Sequence, residues 1–178
     1  MNLPNKITVV RLLLVPVFIA LFYYYQYSYI AGIIFTIAAL SDFLDGYLAR
    51  KNNQITTFGK FMDPLADKIL VVSAQVLLLE EGVISALPVI VTVYREFAVS
   101  GYRLIAATHG KTIAAGISGK IKTVTQMIGI VIVLFTKGFP ALDNIMRFGV
   151  ILIDISAVIA VISLIIYIKQ NSHVLSFD

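Results

Sequence analysis

The chain contains no cysteine and no tryptophan, and only 13% of its 178 residues are charged. Without cysteine there is no disulfide framework and no thiolate-held metal, and the redox compartment is left open. The shortage of charge excludes an ordinary soluble domain, which carries about 25% charged residues. Proline is scarce, at five residues, and no linker, internal repeat or low-complexity run divides the sequence. Residues 1–178 therefore read as one domain. A cleaved signal peptide is not expected either, because Arg11 interrupts the first apolar run and no clear small-residue cleavage site follows it.

What fills the chain is apolar: 59% of residues are hydrophobic and the mean hydropathy is +0.92. A bilayer core needs about 20 helical residues to cross. Six runs meet that length, at roughly 8–25, 30–50, 60–80, 85–107, 120–137 and 146–168, which predicts an all-α, polytopic protein with six transmembrane helices. Tyr23, Tyr24, Tyr25, Tyr27 and Tyr29 fall where an interfacial aromatic belt would sit. The net charge of +4 does not point to nucleic acid, since no soluble domain carries a basic face. Lys6, Arg11, Arg50, Lys51, Lys60, Arg103, Lys111, Lys120, Lys122 and Lys169 gather on one side of a six-span layout. Lys137, Arg147, Glu80 and Glu81 fall on the other, so the positive-inside bias places both termini in the cytoplasm.

Acids inside membrane spans are expensive and mark function by default. Spans two and three hold four of them, Asp42, Asp45, Asp63 and Asp67. At 100° per residue the first pair lies about 60° apart on its helix and the second about 40° apart. Four carboxylates at close quarters repel unless cations sit between them. With no His or Cys nearby, the all-oxygen donor set selects hard divalent ions such as Mg²⁺, Mn²⁺ or Ca²⁺. Four carboxylates suffice to bridge two ions, an arrangement that commonly clamps phosphates in displacement reactions. Gly46 and Ala49 share a face with Asp42 and leave room for a ligand, and Gly59 does the same one turn before Asp63. Arg50 stands about a turn beyond Asp45, at the cytoplasmic mouth.

Residues 42–67 read D-F-L-D-G-Y-L-A-R, eight residues, then G-K-F-M-D-P-L-A-D. This resembles the signature of the CDP-alcohol phosphotransferases, D-x-x-D-G-x-x-A-R-x8-G-x-x-x-D-x-x-x-D, with every fixed position matched. The resemblance implies that Asp42 and Asp63 bridge two ions, Mg²⁺ or Mn²⁺, that Asp45 binds one and Asp67 the other, and that Asp67 is the general base. It implies CDP-lipid contacts from Gly46, Arg50 and Thr56, with Ala49 and Gly59 lining the same cleft. The N-K-I-T-V-V-R segment adds Asn5 and Thr8.

Two further stretches, R-E-F-A-V-S-G-Y-R at 95–103 and G-K-I-K-T at 119–123, resemble the bacterial branch of the family that makes phosphatidylglycerol phosphate. That implies CDP-diacylglycerol as donor, sn-glycerol 3-phosphate as acceptor, and acceptor-phosphate contacts from Arg103 and Lys120, then Arg95, Lys122 and Thr123. It also implies a homodimer in the bacterial inner membrane, surrounded by membrane lipids, with its active site facing the cytoplasm.

Other readings stand beside these. Inositol phosphate is the alternative acceptor. A cation-coupled transporter would put charges mid-span in several helices and show repeat symmetry, neither of which is legible in the sequence. A structural assembly protein has no use for four acids in one cleft. Arg95 and Glu96 either pair and orient span four or reach substrate. Asp154, a lone acid in span six, is expected to pair with a basic neighbour, and His109 and His173 are ordinary loop and tail residues.

Overall fold

Long apolar stretches with few breakers fold as long helices, because a segment in lipid must satisfy its own backbone hydrogen bonds. The computed structural model describes residues 3–24, 29–51, 57–108, 113 and 116–171, with the backbone alone at 3–6, 42–51, 57–61, 63, 64 and 67. Among these residues there are six α-helices and no strand. They are α1 (Leu3–Tyr24), α2 (Tyr29–Lys51), α3 (Thr57–Glu80), α4 (Ala86–Thr108), α5 (Ile117–Thr136) and α6 (Asp143–Gln170). A 3-10 turn over Pro140–Leu142 leads into α6. Each predicted span falls on one helix. The largest difference is at the start of α1, which begins five residues before the apolar run, while α3, α5 and α6 each begin three residues early.

The turn after α3 shows how a helix stops here. Gly82 takes φ +69°, its N–H donates to the Leu79 carbonyl at 2.9 Å, and the Val83 N–H donates to Leu78 at 2.9 Å. This is a Schellman ending, for which glycine is the residue without a Cβ penalty.

The helices close into a ring in the order α1, α2, α5, α6, α4, α3 and back to α1, with α2–α3 and α3–α5 touching across it. The main core runs through Phe18, Phe35, Leu70, Leu78, Ile130 and Ile153. A smaller cluster of Val99, Tyr102, Ala106 and Tyr167 joins α4 to α6. The α5–α6 seam is the tightest. A Cβ on Gly129 would stand 2.8 Å from the Gly149 carbonyl oxygen, and one on Gly149 would stand 3.0 Å from that of Gly129. Small residues of this kind let membrane helices meet backbone to backbone.

Ile7–Tyr24, Ile117–Thr136 and Pro140–Gln170 are each long and apolar enough to cross a bilayer, which marks the chain as a membrane protein, and α2 has a shorter apolar stretch at Tyr29–Ser41. Leu13, Leu40, Val76, Phe97, Val124 and Val158 all point outward. No water-soluble surface carries such a girdle. Tyr23, Tyr24 and Tyr29 are exposed, as a belt requires. At this end Tyr23 hydrogen-bonds Glu80, and Lys137 pairs with Glu81 at 3.2 Å while lying 5.0 Å above the Phe22 ring.

Asp154 corrects one expectation. It is exposed on α6 and makes no ion pair among the described residues. Its face turns away from the neighbouring helices, whose cations Lys122 and Arg103 are engaged elsewhere.

Candidate active site

Helix geometry sets the depth of the aspartates. Asp42 and Asp45 stand nine and six residues before the end of α2, and Asp63 and Asp67 six and ten residues after the start of α3. At 1.5 Å per residue all four lie about 9–15 Å from the two helix ends that residues 52–56 join. Because α2 and α3 touch, the quartet belongs to one region of the bundle. The side chains of Asp42, Asp45, Ala49, Arg50, Asp63 and Asp67, and of Asn5, lie outside the described residues, as do Thr56 in full and the surroundings of Gly46 and Gly59. His109, Lys111 and His173 fall outside them too.

The neighbours of the quartet are described. Arg11 of α1 is 1% exposed, and its Nε donates to Ser41 Oγ at 3.3 Å, one residue before Asp42. Thr8, one turn earlier on α1, is fully buried. A buried guanidinium is tolerated only where it is paired and hydrogen-bonded. Its position beside the acidic stretch of α2 fits a region of high negative charge.

On the opposite side of α3 the chain gathers cations around one acid. Glu96 Oε1 accepts from Arg95 Nη1 at 2.8 Å and from Lys122 Nζ at 3.1 Å. Its Oε2 stands 3.7 Å from Lys68 Nζ, which also donates to Ser100 Oγ. Lys122, counted among the cytoplasmic flanks by sequence, is only 2% exposed. Gly119 makes the packing feasible, since a Cβ there would fall 2.6 Å from Arg95 Nη2. Beside the cluster a cavity of about 20 Å³, lined by Lys68, Thr92, Glu96, Lys122 and Gln126 among others, has room for roughly one water. Gln126 donates to Thr92 Oγ1 at 3.2 Å, while its Oε1 and the Arg95 Nε have no hydrogen-bond partner among the described residues.

The other acceptor candidates divide. Lys120 is exposed and Thr123 donates back to the Gly119 carbonyl at 3.1 Å. Arg103 is half-buried against α6, with Nε donating to Tyr167 Oη at 3.4 Å and the guanidinium 5.9 Å from that ring. Tyr102 braces the same corner by donating to the Asn171 carbonyl at 2.7 Å. The structure thus brings Arg95 and Lys122 together on Glu96, and sets Arg103 and Lys120 outside that cluster.

Residues 1–168 match the family model described as CDP-alcohol phosphatidyltransferase. The chain belongs to that family. It is 44% identical over 143 residues to the CDP-diacylglycerol–glycerol-3-phosphate 3-phosphatidyltransferase of Bacillus subtilis, covering 72% of this chain and 74% of that one. It is 47% identical over 141 residues to the protein of the same name from Pseudomonas fluorescens, covering 75% and 72%. Against the Haemophilus influenzae protein of that name it is 37% identical over 175 residues, covering 94% and 92%.

As a member of the CDP-alcohol phosphatidyltransferases the chain is a transferase, and charge inside its helices takes a different meaning from the transporter reading. The sequence reading expected no mid-span charges in several helices, yet Lys68, Glu96 and Lys122 meet inside α3, α4 and α5. The sequence offers Glu96 as a partner of Arg95 or a substrate contact, and the structure shows the pairing; Lys68 is not singled out by the sequence reading. A signal for Lys68 was present, since it directly follows Asp67, the last fixed position of the motif.

Proposed function

We propose that this chain transfers the phosphatidyl group of CDP-diacylglycerol to sn-glycerol 3-phosphate, giving phosphatidylglycerol phosphate and CMP. The observation that carries the reading is the full aspartate motif at one depth of α2 and α3, in a chain whose relatives bear that activity in their name along most of their length. The donor set fits hard divalent cations. It offers four carboxylates, and neither His nor Cys lies on α2 or α3. Asp42 and Asp63 would bridge two ions, Mg²⁺ or Mn²⁺, with Asp45 on one and Asp67 on the other. Bound there, the ions supply charge neutralisation and Lewis-acid polarisation of the pyrophosphate.

The rest falls to the chain's own side chains. Asn5, Thr8, Gly46, Ala49, Arg50, Thr56 and Gly59 line the nucleotide half of the cleft. Arg103 and Lys120 meet the acceptor phosphate, with Arg95, Lys122 and Thr123 behind them. Asp67 takes the proton from the acceptor hydroxyl as general base. That oxygen bonds to the lipid-linked phosphorus while the bond from this phosphorus to CMP breaks. All six helices cross the bacterial inner membrane in this reading, with termini and active site on the cytoplasmic side and the chain a homodimer among membrane lipids.

An acceptor panel on the purified protein tests the reading. Glycerol 3-phosphate, inositol phosphate, inositol and serine are each offered with CDP-diacylglycerol. CMP release should follow glycerol 3-phosphate, vanish in EDTA and return with Mg²⁺ or Mn²⁺. Preference for inositol phosphate would move the acceptor assignment, and full activity in chelator would remove the ions.

A further inference from the structure

We propose that Glu96 is a positioning residue that holds the acceptor-side cations in register with the aspartates of α3. The inference rests on the transferase reading above and deepens it. One carboxylate joins three helices: Oε1 takes Arg95 of α4 and Lys122 of α5, at 2.8 and 3.1 Å, and Oε2 faces Lys68 of α3 at 3.7 Å. Lys68 is the residue after Asp67, and its second bond, to Ser100, fastens α3 to α4 one turn further on. Arg103 lies seven residues beyond Glu96, on nearly the same face of α4. Lys120 lies two residues before Lys122, on the exposed side of α5. Fixing Glu96 against Lys68 and Lys122 therefore fixes where Arg103 and Lys120 stand relative to Asp67.

Helix packing does not require such a cluster. Apolar residues such as Val71 and Val72 stand beside the same cavity. A buried ion pair is often replaced by apolar residues at no loss of stability, so its presence argues for a role in geometry. Three details favour that role. Lys122 is sealed at 2% exposure, too deep to meet a ligand from the cytoplasm directly. The cavity beside it, about 20 Å³, has space for about one water. Gly119 is the α5 residue against which Arg95 lies, and a Cβ there would stand 2.6 Å from Arg95 Nη2, so the guanidinium would have to shift.

The test is steady-state kinetics on the full chain in lipid micelles, with each substrate varied in turn and a thermal melt of every variant. Glu96→Gln keeps the size and removes the charge. It should raise the KM for glycerol 3-phosphate about tenfold or more, as expected when charge-assisted hydrogen bonds are lost, with the KM for CDP-diacylglycerol within about twofold. Glu96→Asp, which keeps the charge one carbon short, should fall between it and the parent. Lys122→Met should reproduce the rise, and adding Glu96→Gln to it should add less than about twofold, because both changes break one linkage. If Glu96→Gln does not fold, Glu96→Asp and the Glu96→Gln/Lys122→Met pair supply the same comparison. Equal rises in both KM values, a melt shift without a KM split, or independent multiplication of the two effects overturns the proposal. The parent protein separates this from failure of the underlying reading. If it uses another phosphorylated acceptor, the same KM split is read with that acceptor, and if it uses none, both ideas fall.

Discussion

Two parts of this bundle hold helices together by opposite means. Along α5–α6 the contact is steric and uncharged, with Gly129 and Gly149 facing each other's backbone at distances no side chain would permit. Where α3, α4 and α5 meet, the contact is ionic, with one carboxylate serving three cations. In lipid the first gains van der Waals contact at almost no desolvation cost. The second must offset the burial of several charges, and its net gain in stability is small. The comparison teaches where stability and chemistry reside. Changes to the ionic part should separate the kinetics of the two substrates, beyond whatever stability is lost by leaving a buried charge unpaired, and changes to the seam should act on the fold alone.

The largest effect belongs to Asp67→Asn, which keeps size and removes basicity. A general base contributes about 10²–10⁴-fold, so kcat should fall by that factor while the melting temperature and much of the CDP-lipid binding persist. Near-parental turnover would show that another group is the base, and loss of fold would break the division between the halves. Next, Arg103→Ala or Lys120→Ala should raise the KM for glycerol 3-phosphate about ten- to a hundredfold, the value of a charge-assisted hydrogen bond worth about 1.5–3 kcal/mol. Arg103→Lys should rescue only in part, because it keeps the charge and loses the fork. Arg103 also lies against Tyr167. A rise confined to the acceptor's KM therefore separates phosphate contact from a loosened α4–α6 corner.

The seam supplies the mirror test. Gly129→Ala or Gly149→Ala places a methyl group against backbone that cannot step aside, and overpacking of this kind costs about 1–3 kcal/mol. The melt in detergent should drop, with the KM values of the surviving folded protein unchanged. A selective rise in acceptor KM from these changes would mean that the seam also tunes the site. The smallest effect is expected from Lys137→Ala at the far end. It removes the Glu81 ion pair and the contact over Phe22, both partly solvated, and should cost less than about 1 kcal/mol with no kinetic change.

The sequence by itself determined the helices. The six apolar runs each correspond to one α-helix among the described residues, because a long apolar stretch with few breakers satisfies its own backbone hydrogen bonds as a helix. It also determined that Asp42, Asp45, Asp63 and Asp67 share a depth, since helical rise converts spacing directly into height. It did not determine which face of each helix turns inward. In a soluble helix the polar stripe reveals the outside, but here lipid-facing Val158 and core-facing Ile153 are equally apolar and carry no contrast to read. Only the tertiary structure decided that Lys122 is interior, that Asp154 faces out, and that Glu96 collects Lys68, Arg95 and Lys122. These facts depend on how three helices rotate against one another, and that rotation is set by contacts such as Gly119 under Arg95 and Gly129 on Gly149, between residues distant in sequence.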